Sequence, residues 1–165
     1  MFHGNLDVHR HRGSRDIIPT PLTSSQVILF GANDATSAHA NNGLYVPLAQ
    51  YRENLTKIIT HPLIQAHNPR MILISPPPVE EYKHEVKDKA VGYSGLTRFA
   101  HLTKSYADTC IEVGKELNIA TVDTWSAFMG KAGWVPGQAL SGSREAPENA
   151  MLQSFLCDGG FRYVS

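Results

Sequence analysis

The residues of this chain best placed to do chemistry stand close together. Gly31-Ala32-Asn33-Asp34 follows directly on the apolar run QVILF at residues 26–30. A glycine at the end of a strand lets the backbone turn sharply. An asparagine placed there carries a neutral amide donor across the strand ends. Such a donor suits the oxyanion that develops when an acyl carbonyl is attacked. The same four residues fit an Asx turn, because Asn and Asp are common where a strand gives way to a loop. On the tetrapeptide alone both readings stand. Ser75-Pro76-Pro77-Pro78 closes a second apolar run. Ser75 at that strand end is a conceivable nucleophile, yet no G-x-S-x-G elbow surrounds it. A rigid rim of a ligand pocket is the simpler reading.

Other reactive side chains have plainer explanations. His3, His9 and His11 include an H-x-H pair that could bind a transition metal, and exposed histidines in a polar leader explain it equally well. Cys110 falls on the apolar stripe of a helix and reads as a packed thiol. Cys157 stands beside Asp158, whose carboxylate disfavours a thiolate. Neither cysteine belongs to a short-spaced pair, so neither a disulfide scaffold nor a zinc ribbon is expected, and a reducing compartment is the simpler setting. Trp125, Tyr82 and Tyr93 fit a pocket wall or an ordinary core or surface role. The mixed-charge run Lys83–Lys89 reads as a solvated face.

Periodicity supplies the elements that must position these residues. Residues 1–25 are polar, show neither helical nor strand period, and read as a loose leader to a unit spanning residues 26–165. QVILF reads as a buried strand of a parallel sheet. Leu48, Tyr51, Leu55, Ile58 and Ile59 recur at helical spacing and predict a helix over Leu48–Ile59, closed at His61-Pro62. Met71–Ile74 is the second strand. Glu80–Gly95 is polar and reads as a long loop or short surface helix. Leu96, Phe99, Tyr106, Cys110, Val113 and Leu117 form the stripe of a long helix over Leu96–Leu117. Ile119–Val122 is the third strand, Asp123–Met129 a short helix, Gly130–Pro147 a glycine-rich loop, and Glu148–Leu156 one last helix. Strands alternating with helices imply an α/β fold with a parallel sheet. Ligands in such folds sit beyond the carboxyl ends of the strands, which places residues 31–40, 75–79 and 123–125 on the functional edge.

The blocks ILFGANDA, VPLAQYRENLTKIITHPL, SPPPV, KSYADTCIEVGKELNI, VDTWSAFM and FLCDG, in this order, resemble the isoamyl-acetate-hydrolysing branch of the GDSL/SGNH esterases. The resemblance runs from Val27 to Gly159. It implies a flavodoxin-like three-layer α/β fold and hydrolysis of small carboxylic esters, with no metal and no cofactor. In its terms Gly31, Asn33 and Asp34 match the G-x-N-D block. Asn33 becomes the oxyanion-hole donor, and Gly31, Asp34, Ser75 and Pro76 border the substrate. Asp158 fits the aspartate of the D-x-x-H block, but the fourth position is Phe161, and no histidine follows His101. No GDS motif occurs; Ser14, in the polar leader with no strand before it, is a poor substitute. The glycine of the second block has no counterpart either.

A serine hydroxyl is a weak nucleophile until a base takes its proton, and a phenyl ring cannot accept one. The sequence therefore predicts an esterase by descent with an impaired site. The alternatives are a non-catalytic ester- or alcohol-binding module and a truncated, non-functional gene product. In the family's strand order, 2-1-3-4-5, the first strand lies beside QVILF. Without the first two strands QVILF becomes an open edge, and an apolar open edge invites self-association. Ile17-Ile18 is the one apolar pair of the leader that could supply a replacement strand.

Composition narrows the partners. The 165 residues carry zero formal net charge, so no basic footprint argues for nucleic acid or an anionic membrane. A small-molecule ester remains the expected partner. No apolar run approaches the roughly 18 residues of a membrane span. No secretory pattern opens the chain, and cytoplasm is the default expectation.

Overall fold

The structure is a computed structural model and describes residues 24–156. Three strands form a parallel sheet in the order β1-β2-β3: β1 is Ser25–Leu29, β2 Arg70–Ile74 and β3 Ala120–Val122. The register pairs Val27 with Ile72 and Ile72 with Ala120, then Leu29 with Ile74 and Ile74 with Val122. Between β1 and β2 lie α1 (Leu48–Ile59) and α2 (Pro62–Gln65). Between β2 and β3 lie α3 (Glu81–Ala90) and α4 (Ala100–Glu116). After β3 come α5 (Thr124–Lys131) and α6 (Ala150–Phe155). The expected α/β alternation and parallel sheet are present.

Period 2 divides the sheet residues between two faces. Ile28, Met71 and Leu73 point into a core completed by Tyr51, Leu55 and Ile59 of α1 and Tyr106, Cys110 and Val113 of α4. Burying side chains of this kind contributes about 1.5–3 kcal/mol each. A second cluster joins Ala107 of α4 to Trp125 and Met129 of α5 and to Leu152 and Leu156. Among the described residues the opposite face of the sheet is left open: Val27, Leu29 and Val122 are 60%, 41% and 48% exposed. The expectation that QVILF is a buried strand is therefore corrected. In β1 only Ile28 is buried, because among the described residues β1 is an edge strand covered on one face.

Local chemistry explains most of the element ends. α1 has the predicted bounds. His61-Pro62 closes it and at once opens α2, where His61 Nδ1 accepts from the Leu63 amide and Pro62 takes the first helical position. Proline suits that position because the amide it lacks would have no partner there. Asp123 caps α5 by accepting from the Ser126 amide at 2.9 Å. Asn149 caps α6 through the Leu152 amide at 3.1 Å.

Besides α2, which the sequence reading did not place, two elements depart from expectation. The stretch read as a loop or surface helix is α3, and Glu81, His84 and Asp88 along it are buried. α4 begins at Ala100 and not at Leu96. The residues before it are committed elsewhere: the Thr97 amide donates to Asp88 Oδ2 at 2.7 Å, and Arg98 forms an isolated antiparallel bridge with Thr36. These bonds hold 97–98 extended and deny the helix four residues.

Candidate functional site

The loop after β1 is built by its own backbone. Gly31 has φ of +107°, a conformation that costs a side chain dearly and glycine little. A Cβ on it would stand 2.9 Å from Tyr51 Oη and 3.1 Å from Pro76 Cγ. Position 31 thus needs glycine twice over, for conformation and for space. The Ala35 amide donates to the Gly31 carbonyl at 2.9 Å, and both the amide and the hydroxyl of Thr36 donate to the Asn33 carbonyl, at 3.0 and 2.7 Å. The Asx-turn alternative and the donor reading are therefore not exclusive. Main-chain bonds make the turn, and the Asn33 side chain is left for other use.

That side chain has a partner the sequence reading missed. Arg98 Nη2 donates to Asn33 Oδ1 at 2.6 Å. Arg98 arrives through the bridge between Thr36 and Arg98, reinforced by the Ser37 amide donating to the Thr97 carbonyl at 2.7 Å. Burial lowers the proton affinity of Arg98, while the Asp88 carboxylate nearby raises it. Behind the loop stand Asp88, Thr97 and His84. The Thr97 hydroxyl donates to Asp88 Oδ1 at 3.1 Å, and His84 Nε2 lies 3.3 Å from that hydroxyl and 3.5 Å from Asp88 Oδ1. Burial drives the His84 pKa down to about 4 against the opposing pull of Asp88, and the charges of Arg98 and Lys87 push the same way as burial. The imidazole is neutral near pH 7.

Hydroxyl, imidazole and carboxylate in one cluster are not a catalytic triad here. A triad base receives the hydroxyl proton on one nitrogen while the carboxylate holds the other. In this cluster the Thr97 hydroxyl donates its hydrogen bond to the carboxylate, both groups face Nε2, and all three residues are buried. The network instead ties the loop before α4 to α3. Glu81 completes it, accepting from the Ala100 amide at 2.7 Å and the Arg144 amide at 2.9 Å.

The remaining site residues fall as follows. Ser75 is fully buried. Its hydroxyl lies 3.4 Å from Asp123 Oδ1 and accepts from the Trp125 amide at 3.3 Å, so it fastens the end of β2 to the start of α5. Pro76 is buried against Gly31. Asp34 lines a groove of about 370 Å³ with Phe30, Val46, Tyr51, Leu55 and Lys57. Tyr51 donates to the Phe30 carbonyl at 3.1 Å, and burial holds its phenol protonated well above the usual range. Asp158 and Cys157, like His3, His9, His11, Ser14 and Ile17-Ile18, lie outside the described residues. Cys110 is buried and free, and burial raises its thiol pKa. Trp125 packs in the second core, and the Tyr82 hydroxyl donates to the Ala146 carbonyl. Among the described residues no serine hydroxyl bonds an imidazole, no group of three or more His, Cys, Asp or Glu could hold a metal, and no helix is long and apolar enough to cross a membrane.

A parallel α/β sheet with a G-x-N-D loop at its carboxyl edge is the scaffold of this chain, and similarity to known proteins shows the family it comes from. No family model matches the chain. It is 36% identical over 110 residues to the Arabidopsis thaliana GDSL esterase/lipase CPRD49, covering 66% of this chain and 42% of that protein. It is 29% identical over 135 residues to the Oryza sativa GDSL esterase/lipase WDL1, covering 81% of this chain and 52% of that protein. It is 31% identical over 100 residues to the Mus musculus isoamyl acetate-hydrolyzing esterase 1 homolog, covering 60% and 40%. A crystal structure of a lipase/acylhydrolase from Enterococcus faecalis superposes with TM-score 0.52 at 23% identity, over 84% of this chain and 52% of that one. The chain belongs to the GDSL/SGNH esterase family, is similar within it to the isoamyl acetate-hydrolyzing esterase homologs, and has the α/β fold of the family. It spans about half the length of the relatives it matches.

Proposed function

We propose that this chain carries the oxyanion-binding half of a site for small carboxylic esters of acetate type, and that by itself it turns them over poorly or not at all. The observation behind this is the Asn33 carboxamide, exposed at the carboxyl end of β1 with its oxygen engaged by Arg98. A donor held there suits a developing oxyanion. Asp158 is the proposed triad acid. Gly31, Ser75 and Pro76 shape the floor from beneath, and Asp34 borders the ligand in the groove. The attacking hydroxyl and the base that would arm it are not paired anywhere among the described residues. Removal of triad members in serine hydrolases leaves roughly 10³–10⁴-fold acceleration over water, and only where the rest of the site is intact.

The apolar groove beside Asp34 favours a second reading, a module that holds short esters or alcohols without cleaving them. Hydrolysis of p-nitrophenyl acetate by the purified chain separates these outcomes. The expected result is a rate near background, unchanged in Asn33→Ala. Enzyme-like turnover that disappears in Asn33→Ala would overturn the impaired site. Saturable binding of a short ester in the groove without turnover supports the module.

A further inference from the structure

We infer that Arg98 is the positioning residue of the oxyanion donor: it orients the Asn33 carboxamide and strengthens its N–H groups. This rests on the reading of Asn33 as that donor. A carboxamide offers an acceptor oxygen at one end and two N–H donors at the other, and only the donors serve an oxyanion. A guanidinium has donors and no acceptor. The atom facing Arg98 Nη2 at 2.6 Å is therefore Oδ1, and Nδ2 is turned the other way. Among the described residues Nδ2 has no hydrogen-bond partner. The pairing fixes the flip that a lone exposed asparagine would leave free.

The pairing also acts through the amide's electrons. A cation on the carbonyl oxygen favours the resonance form with a C–N double bond and positive nitrogen. The N–H bonds become better donors, and rotation about C–N slows. Hydrogen bonds with an ionised partner are roughly twice as strong as neutral ones. Arg98 can hold this post because its backbone is pinned independently of its side chain, by the bridge to Thr36 and by the Ser37–Thr97 bond. The Asp88 carboxylate behind it supports the charge against burial. A truncated side chain at position 98 therefore removes the guanidinium while the loop keeps its main-chain bonds.

The test is NMR of the ¹⁵N-labelled full chain. The Asn33 side-chain amide is assigned by its disappearance in Asn33→Asp. In the wild type its nitrogen is expected downfield of the other asparagine amides, with slow exchange between its two protons. In Arg98→Met the resonance returns to the ordinary region and exchange accelerates several-fold, while the backbone amides of Thr36 and Ser37 keep their shifts. Arg98→Lys, a single charged donor, falls between; should Arg98→Met lose its fold, the lysine variant carries the comparison. An Asn33 amide indifferent to both variants overturns the proposal. Acetate serves as the anionic probe of the donor. It is expected to move the Asn33 amide in the wild type and to bind about tenfold more weakly in Arg98→Met, the loss of roughly one charge-assisted hydrogen bond. Acetate that never moves the wild-type amide removes the donor role of Asn33 itself, a failure distinguishable from an amide that ignores Arg98.

Discussion

His84 shows how burial rewrites a residue's chemistry. The sequence places it in a run of charges that reads as a solvated face; the structure buries it against Asp88 and Thr97, and its pKa falls to about 4. The unfolded chain has an ordinary histidine near 6.5. Between these values the unfolded state binds more protons, so stability is whole above about 6.5 and is lost as pH falls toward 4. The difference corresponds to about 3 kcal/mol. Urea unfolding from pH 7 to pH 4 is expected to show this loss in the wild type and a flatter profile in His84→Gln, which keeps an amide donor toward Thr97. Parallel profiles for the two proteins would refute it. The same burial explains why His84, for all its nearness to a hydroxyl and a carboxylate, is no base for acyl transfer.

Among the elements, α4 carries the most structure, packing on α1 and the sheet with one flank and on α5 and α6 with the other. Gly114 sits where α4 crosses β3. A Cβ there would meet Thr121 Oγ1 at 2.0 Å and Thr121 Cβ at 3.3 Å. Gly114→Ala should destabilise the fold by about 1–3 kcal/mol, the usual cost of overpacking, although alanine is the better helix former by about 1 kcal/mol. Thr121→Ala, which removes the obstructing hydroxyl, should recover most of that loss in the double variant. Chemical denaturation of the four proteins of this cycle measures the coupling, and strict additivity would show that the contact does not decide the cost. Element bounds follow the same logic of competition. α1 was legible to the residue because Tyr51, Leu55 and Ile59 face the core at helical spacing. α3 was not, since its buried face is polar and reverses the binary pattern from which helices are read. α4 lost its first turn because Asp88 and Thr36 claim Thr97 and Arg98.

At the scale of the molecule, the described residues form an unevenly covered sheet. Helices α1 and α4 cover one face, while Val27, Leu29, Phe30 and Val122 are exposed on or beside the other. β1 is an open edge among the described residues, and formal net charge is zero, so no long-range repulsion keeps copies apart. Apolar, uncharged edges are templates for further pairing. Sedimentation velocity over a concentration series is expected to show self-association, and Leu29→Lys should shift it toward monomer. A compact monomer at every concentration would contradict this.

Legible in the residues alone were the order of the strands and of helices α1, α4, α5 and α6, the G-x-N-D loop at the end of β1 and the family that the chain resembles. These are short-range properties: a period of 2 or 3.6, a glycine that must turn, a proline that must stop. Tertiary structure alone decided which atom of Asn33 faces outward, because the group that settles it, Arg98, lies 65 residues along the chain. It alone decided that Ser75 is a buried tie and no nucleophile in waiting, and that His84 is neutral. Hydrogen bonding and desolvation depend on neighbours in space, and no periodicity records them.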